Sequence, residues 1–272
     1  DGFSKAKAAA RRALEIDRDS AEAHSSLGHA MLHNWEWRDG EAALKRAIEL
    51  NPGYPSAHHW YSEHLTAMGR FDESIRELQE ASRLDPLSLV ISADLGRAFY
   101  YARTYDKAIK QEARTLELDS TFWLSHINLG RSYAQKGMYQ EAVAELRRAR
   151  EQSADNTEAL SFLAFVHAVA GDRQNAHEVL VQLDRLSDLN HVPPYHYAVA
   201  YAGLGDVDRA FEYLEAAFER HSVDLFTLKV EPMFDVLRSD ARFESLLRRV
   251  GLLDEHNERT TDTQRKTRQA PT

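Results

Sequence analysis

Tyr61-Ser62-Glu63-His64-Leu65-Thr66-Ala67-Met68-Gly69-Arg70-Phe71-Asp72-Glu73-Ser74-Ile75-Arg76-Glu77-Leu78 reads as the end of one helix, a turn at Gly69-Arg70 and the opening of a second helix. Stepping along the chain in strides of 34 residues returns the same residue types six times between Ala21 and Asp224. Ser62 falls in a column with Gly28, Gly96, Gly130, Ala164 and Ala198. Ser74 falls with Gly40, Ala108, Ala142, Ala176 and Ala210. Leu78 shares its column with Leu44, Glu112, Leu146, Leu180 and Leu214, and Phe71 shares its own with Trp37, Tyr105 and Tyr139. A fixed period in this range marks a solenoid, in which each unit buries its apolar face only against its neighbours.

Each unit reads as two helices. In the second unit the first helix spans roughly 56–68 and the second 72–84, and Asp85-Pro86 stops it. Gly69, Gly137, Gly171 and Gly205 share the column where a helix C-terminus takes a left-handed residue. Asp72, Asp106, Asp172 and Asp206 sit just after the turn, as N-caps or first-turn acids. The units run 21–54, 55–88, 89–122, 123–156, 157–190 and 191–224. Residues 1–20 read as the second helix of a preceding half unit, and with Asp1 as the opening residue the chain reads as a fragment of a longer polypeptide. Beyond Asp224 the period breaks: 225–253 is expected to cap the open end, with an amphipathic helix carrying Phe243, Leu246, Leu247 and Val250, and the polar stretch 254–272 is expected to be disordered.

Composition narrows the function classes. A net charge of −9 over 272 residues speaks against duplex nucleic-acid binding, whose affinity comes largely from neutralised phosphates. The chain has no cysteine, which removes disulfides and thiolate chemistry. Its most apolar stretch, Leu160 to Gly171, is about a dozen residues against the roughly 20 that a membrane span needs. Phosphate-cradling glycine loops, nucleophile elbows and His-Glu-x-x-His are all absent from the sequence. The expectation is therefore no enzyme, no cofactor, no membrane insertion and a cytoplasmic location, or a periplasmic one if the parent chain carries an anchor elsewhere.

The apolar-Gly pair of the first helix, the small residues of the second and the Asn51-Pro52 and Asp85-Pro86 terminators resemble the tetratricopeptide repeat. That resemblance implies an all-α, right-handed α-solenoid of tandem helix-turn-helix units closed by a C-terminal capping helix. Two further stretches, Trp35-Glu36-Trp37 with His58-His59-Trp60-Tyr61, and Leu228-Lys229-Val230-Glu231-Pro232-Met233-Phe234-Asp235, resemble the C-terminal repeat regions of multidomain bacterial signalling proteins. The implied role is a non-catalytic scaffold that docks a protein or peptide partner for a larger regulator.

In such a solenoid, columns 2, 5, 9, 12 and 13 of each unit line the concave groove. Arg97 and Arg131 share one of these columns, Tyr100 and Tyr101 lie one turn on, and His59, Glu63, Gln135, Phe165 and Tyr195 complete the candidate peptide site. Guanidinium forks beside aromatic faces suit a peptide carboxylate and its apolar neighbours. The alternative is that the arginines pair with Asp94 or Glu158 and the tyrosines pack between units. His29 and His33, four apart on one helix, with His59 and Glu63, four apart on the next, form a weaker metal candidate by ligand type and spacing. A metal-dependent hydrolase built on those four is the most distant reading, and self-assembly through the loosened last units is the rival to partner docking.

Overall fold

The computed structural model describes residues 2–153, 156–189 and 192–253, so the expectation of disorder over 254–272 lies outside the described residues. All regular structure among the described residues is helical. Helix α1 (Gly2–Ile16) precedes six pairs: α2 (Ala21–His33) with α3 (Trp37–Leu50), α4 (Pro55–Ala67) with α5 (Phe71–Leu84), α6 (Leu89–Tyr101) with α7 (Tyr105–Leu118), α8 (Trp123–Gln135) with α9 (Tyr139–Gln152), α10 (Thr157–Val169) with α11 (Arg173–Leu189), and α12 (Pro194–Leu204) with α13 (Val207–Glu219). Two short 3-10 turns, Val223–Thr227 and Pro232–Leu237, then lead to α14 (Ala241–Val250). The chain is thus an α-solenoid, and no described helix is long and apolar enough to cross a membrane.

Local chemistry explains the boundaries. Ser20, Ser88 and Asn156 stand before alternate first helices, and each accepts from the backbone N–H three residues on, which satisfies a donor the helix cannot. Asp172 and Asp206 do the same in front of α11 and α13, whereas Asp72 and Asp106 lie inside the first turns of α5 and α7. Within a pair, the small column is a packing requirement. A Cβ on Gly28 would lie 2.6 Å from Leu44 Cγ, and one on Gly130 would lie 2.5 Å from Leu146 Cγ. His58 of α4 joins the Pro52 carbonyl of the preceding loop (2.9 Å) to the Glu77 carboxylate of α5 (2.6 Å), and His126 of α8 joins the Ser120 carbonyl (3.1 Å) to Glu145 of α9 (2.6 Å). These hydrogen bonds favour the protonated ring, and both histidines are pushed above their ordinary range, chiefly by the carboxylate.

The third pair departs from the pattern. Where the other units place leucine against the small column, Glu112 is fully buried against Gly96. Its Oε1 accepts from Asn128 at 2.9 Å, its Oε2 finds no hydrogen-bond partner, and burial drives the carboxyl well above its usual range.

The turn column explains how the solenoid ends meet. Gly69, Gly137, Gly171 and Gly205 all take positive φ there, but the first and third units place Trp35 (φ 60°) and Arg103 (φ 59°) in the same left-handed position, and His221 (φ 51°) follows α13. A side chain in that region costs roughly 1–2 kcal/mol, and each of the three makes a contact that offsets it. Trp35 stacks on the His221 ring at 3.7 Å and on Phe218 at 5.4 Å, which joins the first unit to the sixth. Trp37 Nε1 donates to the Val250 carbonyl at 2.7 Å. Helix α14 lies on α13, with Arg242 over Phe211 and paired to Asp208 (2.9 Å), and Arg249 over Phe218 and paired to Glu215 (2.8 Å). The end segment thus covers the last pair and also reaches the first.

Candidate functional site

Curvature of the solenoid gathers the first helices of the units around one concave groove, and residues 225–237 run through it. Phe226 meets the His33 ring edge-on at 5.6 Å and lines a small cavity with Glu63, Thr66, Asp94, Arg97 and Tyr101. Lys229 Nζ donates to the Met68 carbonyl at 3.1 Å, and Val230 packs with Tyr100, Tyr101 and Ala108. Phe234 stands edge-on to Tyr195 at 5.4 Å. At the rim, the Arg103 guanidinium grips Asp235 through both of its oxygens, at 2.6 and 2.7 Å. A groove expected to be open to a partner is therefore filled by the chain's own segment, the strap.

Glu231 is its anchor. This carboxylate is 1% exposed, accepts from the Tyr100 hydroxyl at 2.7 Å and pairs directly with Arg131, itself 3% exposed. The Arg131 guanidinium also sits over Tyr100 (4.3 Å), Phe162 (4.9 Å) and Tyr101 (5.2 Å), and it donates to the Tyr101 hydroxyl at 3.2 Å. A charge removed from water this completely needs an opposite charge and hydrogen bonds together, and this cage supplies both. Burial, reinforced by Glu231, holds the Tyr100 phenol well above its usual range.

A second polar cluster occupies the groove wall over the first three units. His59 Nε2 lies 2.6 Å from Asp94 Oδ2, and Asp94 Oδ1 lies 2.9 Å from Arg97. Glu63 stands between this chain and the pair formed by His29 and His33, whose Nε2 atoms are 3.1 Å apart, with Glu63 Oε2 3.3 Å from that of His29. Burial would raise the Glu63 carboxyl, yet His29, His59 and Arg97 around it hold it down, at about 2. Burial pushes His33 down to about 4, so its ring is neutral near pH 7.

The residues singled out from the sequence thus separate into groups. Arg131, Tyr100, Tyr101 and Tyr195 surround the strap; Arg97 pairs with Asp94; and His59 and Glu63 belong to the polar wall. Phe165 is buried against α12, where a Cβ on Gly203 would lie 2.7 Å from its Cα. Gln135 is half-buried at the end of α8, outside both clusters. Arg131 pairs with Glu231 and not with Glu158. Trp35, Glu231 and Asp235 stand in the stretches that carry a family resemblance, but nothing in the sequence marks them, or Phe226, as part of the groove. One usable signal was the turn column, where Trp35 and Arg103 stand in place of glycine.

Comparison with known proteins places these observations. Three models described as tetratricopeptide repeat match residues 36–93, 93–157 and 195–220. The curated relative anaphase-promoting complex subunit 3 of Schizosaccharomyces pombe is 22% identical over 202 residues, covering 73% of this chain and 27% of that protein. The chain therefore spans about a quarter of the length of that relative. Among solved structures, PilF of Pseudomonas aeruginosa has a TM-score of 0.55 at 22% identity, over 68% of this chain and 84% of that one. The human IFIT1 dimer solved with PPP-AAAA has a TM-score of 0.60 at 16% identity, over 91% and 68% of the two chains. At these identities the likeness is one of fold. With repeat models matching from residue 36 to 157 and again over 195–220, on a structure built from six helical pairs, the chain carries tetratricopeptide repeats.

Proposed function

We propose that this chain is the non-catalytic docking module of a larger regulatory protein, and that its concave groove recognises an extended segment carrying an acidic side chain between apolar ones. Tetratricopeptide-repeat proteins act as protein–protein interaction scaffolds, and no enzyme family is indicated for this one. The observation that carries the finer reading is the seat of Glu231 between Tyr100 and Arg131, flanked by Val230 and Phe234. Caged guanidinium, phenol donor and aromatic walls make up the chemistry of a peptide-carboxylate site. In this reading the strap is the resident ligand, and a partner segment of the same chemistry enters the groove by displacing it. As an intramolecular ligand the strap competes at high effective concentration, so it keeps the groove closed to weak binders and yields only to a partner segment that binds more tightly.

The test uses a fluorescent peptide of residues 225–238 added in trans to the full chain and to a Glu231→Ala variant whose circular dichroism shows a folded solenoid. Binding in the micromolar range, roughly −8 kcal/mol, is expected for the variant and much weaker binding for the parent. Equal affinity for both proteins, or no binding to a folded variant, would discard this reading.

A further inference from the structure

We infer that His29, His33 and Glu63 form a site for one divalent transition-metal ion of the zinc class, stapling the first repeat to the second.

His29 and His33 lie one turn apart on α2, and Glu63 faces them from α4. Candidate ligand atoms from all three lie within 4.8 Å of one another. A ring nitrogen has a single in-plane direction, occupied by either a proton or a lone pair. His29 Nε2 nevertheless stands 3.1 Å from His33 Nε2 and 3.3 Å from Glu63 Oε2. One proton serves only one of these contacts, and the arrangement leaves Glu63 Oε2 buried without a hydrogen bond. A cation at the focus of the three atoms serves all of them. Ligands held about 2.0–2.1 Å from a tetrahedral ion are about 3.3 Å apart, so two edges of the triangle already have the spacing an ion imposes.

The surroundings support the assignment. Phe3 stacks on His33 at 4.1 Å and Trp60 on His29 at 4.4 Å, while Phe226 from the strap closes on the His33 ring. These rings hold both imidazoles in their planes, so little ordering is left for binding to bring about. His33 also borders the open cleft between α1 and the residues after α13, which gives an ion a path in. The adjoining trio of His59, Glu63 and Asp94 is a poorer seat, because His59 and Asp94 are already joined at 2.6 Å and Arg97 lies against Asp94. Two imidazoles and one carboxylate select zinc, cobalt or nickel over magnesium and calcium, which take oxygen donors.

Isothermal titration of tag-free, chelator-treated full chain with zinc chloride tests the site, with magnesium chloride as control and cobalt chloride as a spectroscopic probe. One equivalent of zinc, no magnesium, and a cobalt visible spectrum of a four- or five-coordinate nitrogen–oxygen site are expected. His29→Gln and Glu63→Gln, each checked by circular dichroism, should weaken binding at least tenfold. Two results would overturn the inference: no stoichiometric zinc bound by the parent chain, or zinc affinity unchanged in both folded variants, which would mean an adventitious ion on other histidines. If either variant fails to fold, the cobalt spectrum of the parent decides, and a six-coordinate spectrum counts against the site.

Discussion

Glu231→Gln isolates the anchor of the strap with a change of one atom. The Arg131 guanidinium is 3% exposed and its pairing carboxylate 1% exposed, so neutralising the carboxylate leaves a buried charge uncompensated. Breaking one side of such a pair costs about 3–5 kcal/mol. The amide oxygen that replaces the carboxylate still accepts from Tyr100 or Arg131, which restores about 1 kcal/mol. The net expectation is a loss of roughly 2–4 kcal/mol, a large share of the roughly 5–15 kcal/mol that holds a domain together. Arg131→Met should cost a similar amount, because Glu231 then keeps only the Tyr100 hydroxyl and the Met233 N–H. The double variant contains neither charge, and its loss should fall short of the sum of the single losses by about 2 kcal/mol or more. Urea unfolding followed by far-UV circular dichroism measures all four proteins. Single losses below about 0.5 kcal/mol, or strict additivity, would show that the pair does not hold the strap.

Three further expectations concern the repeats. Gly130→Ala pushes a methyl group to 2.5 Å from the fully buried Leu146, so a loss of about 1–3 kcal/mol is expected in the same urea experiment. Glu112→Leu restores the residue type of the other units and should stabilise the chain by about 1–3 kcal/mol at neutral pH, since a buried oxygen without a partner is removed while Asn128 keeps the Ala93 carbonyl at 3.3 Å. Its folded pKa is raised, so its stability contribution is complete below the ordinary 4.5 and falls as pH rises through the folded value; the leucine variant should lose that slope in a pH series of melts. His58 and His126 are raised from 6.5, so the stability from their carboxylate bridges is complete below 6.5 and is lost as pH rises through their folded values. His64, pushed by burial down to about 4, runs the other way and loses stability as pH falls from 6.5 toward 4, and NMR titration of the ring protons separates the two classes.

The repeats were legible because their chemistry is local. A small residue facing a leucine and a left-handed glycine at the turn each answer to the needs of a single unit. The concave position of Arg131 and Tyr100 followed from the same columns. Their partner did not, because Glu231 lies 100 residues from Arg131, in a stretch without periodicity, and meets it only through the summed rotation of successive units. The meeting of Trp35 with His221 arises the same way. Glu112 is the converse case: its column demanded an apolar residue, and only the structure supplies Asn128 as its hydrogen-bond donor. Departures from the columns, at Trp35, Arg103 and Glu112, coincide with places where the chain does something other than stack repeats.

Hydrogen–deuterium exchange on the intact chain, resolved to peptides across 225–237, measures directly whether this segment is held in the groove. Amides of Val230, Glu231 and Phe234 are expected to exchange slowly, in step with those of α6 and α8, and Glu231→Gln is expected to accelerate the segment well before the helices. Exchange of the segment at the rate of an unstructured peptide in the parent chain would show that it is not held there.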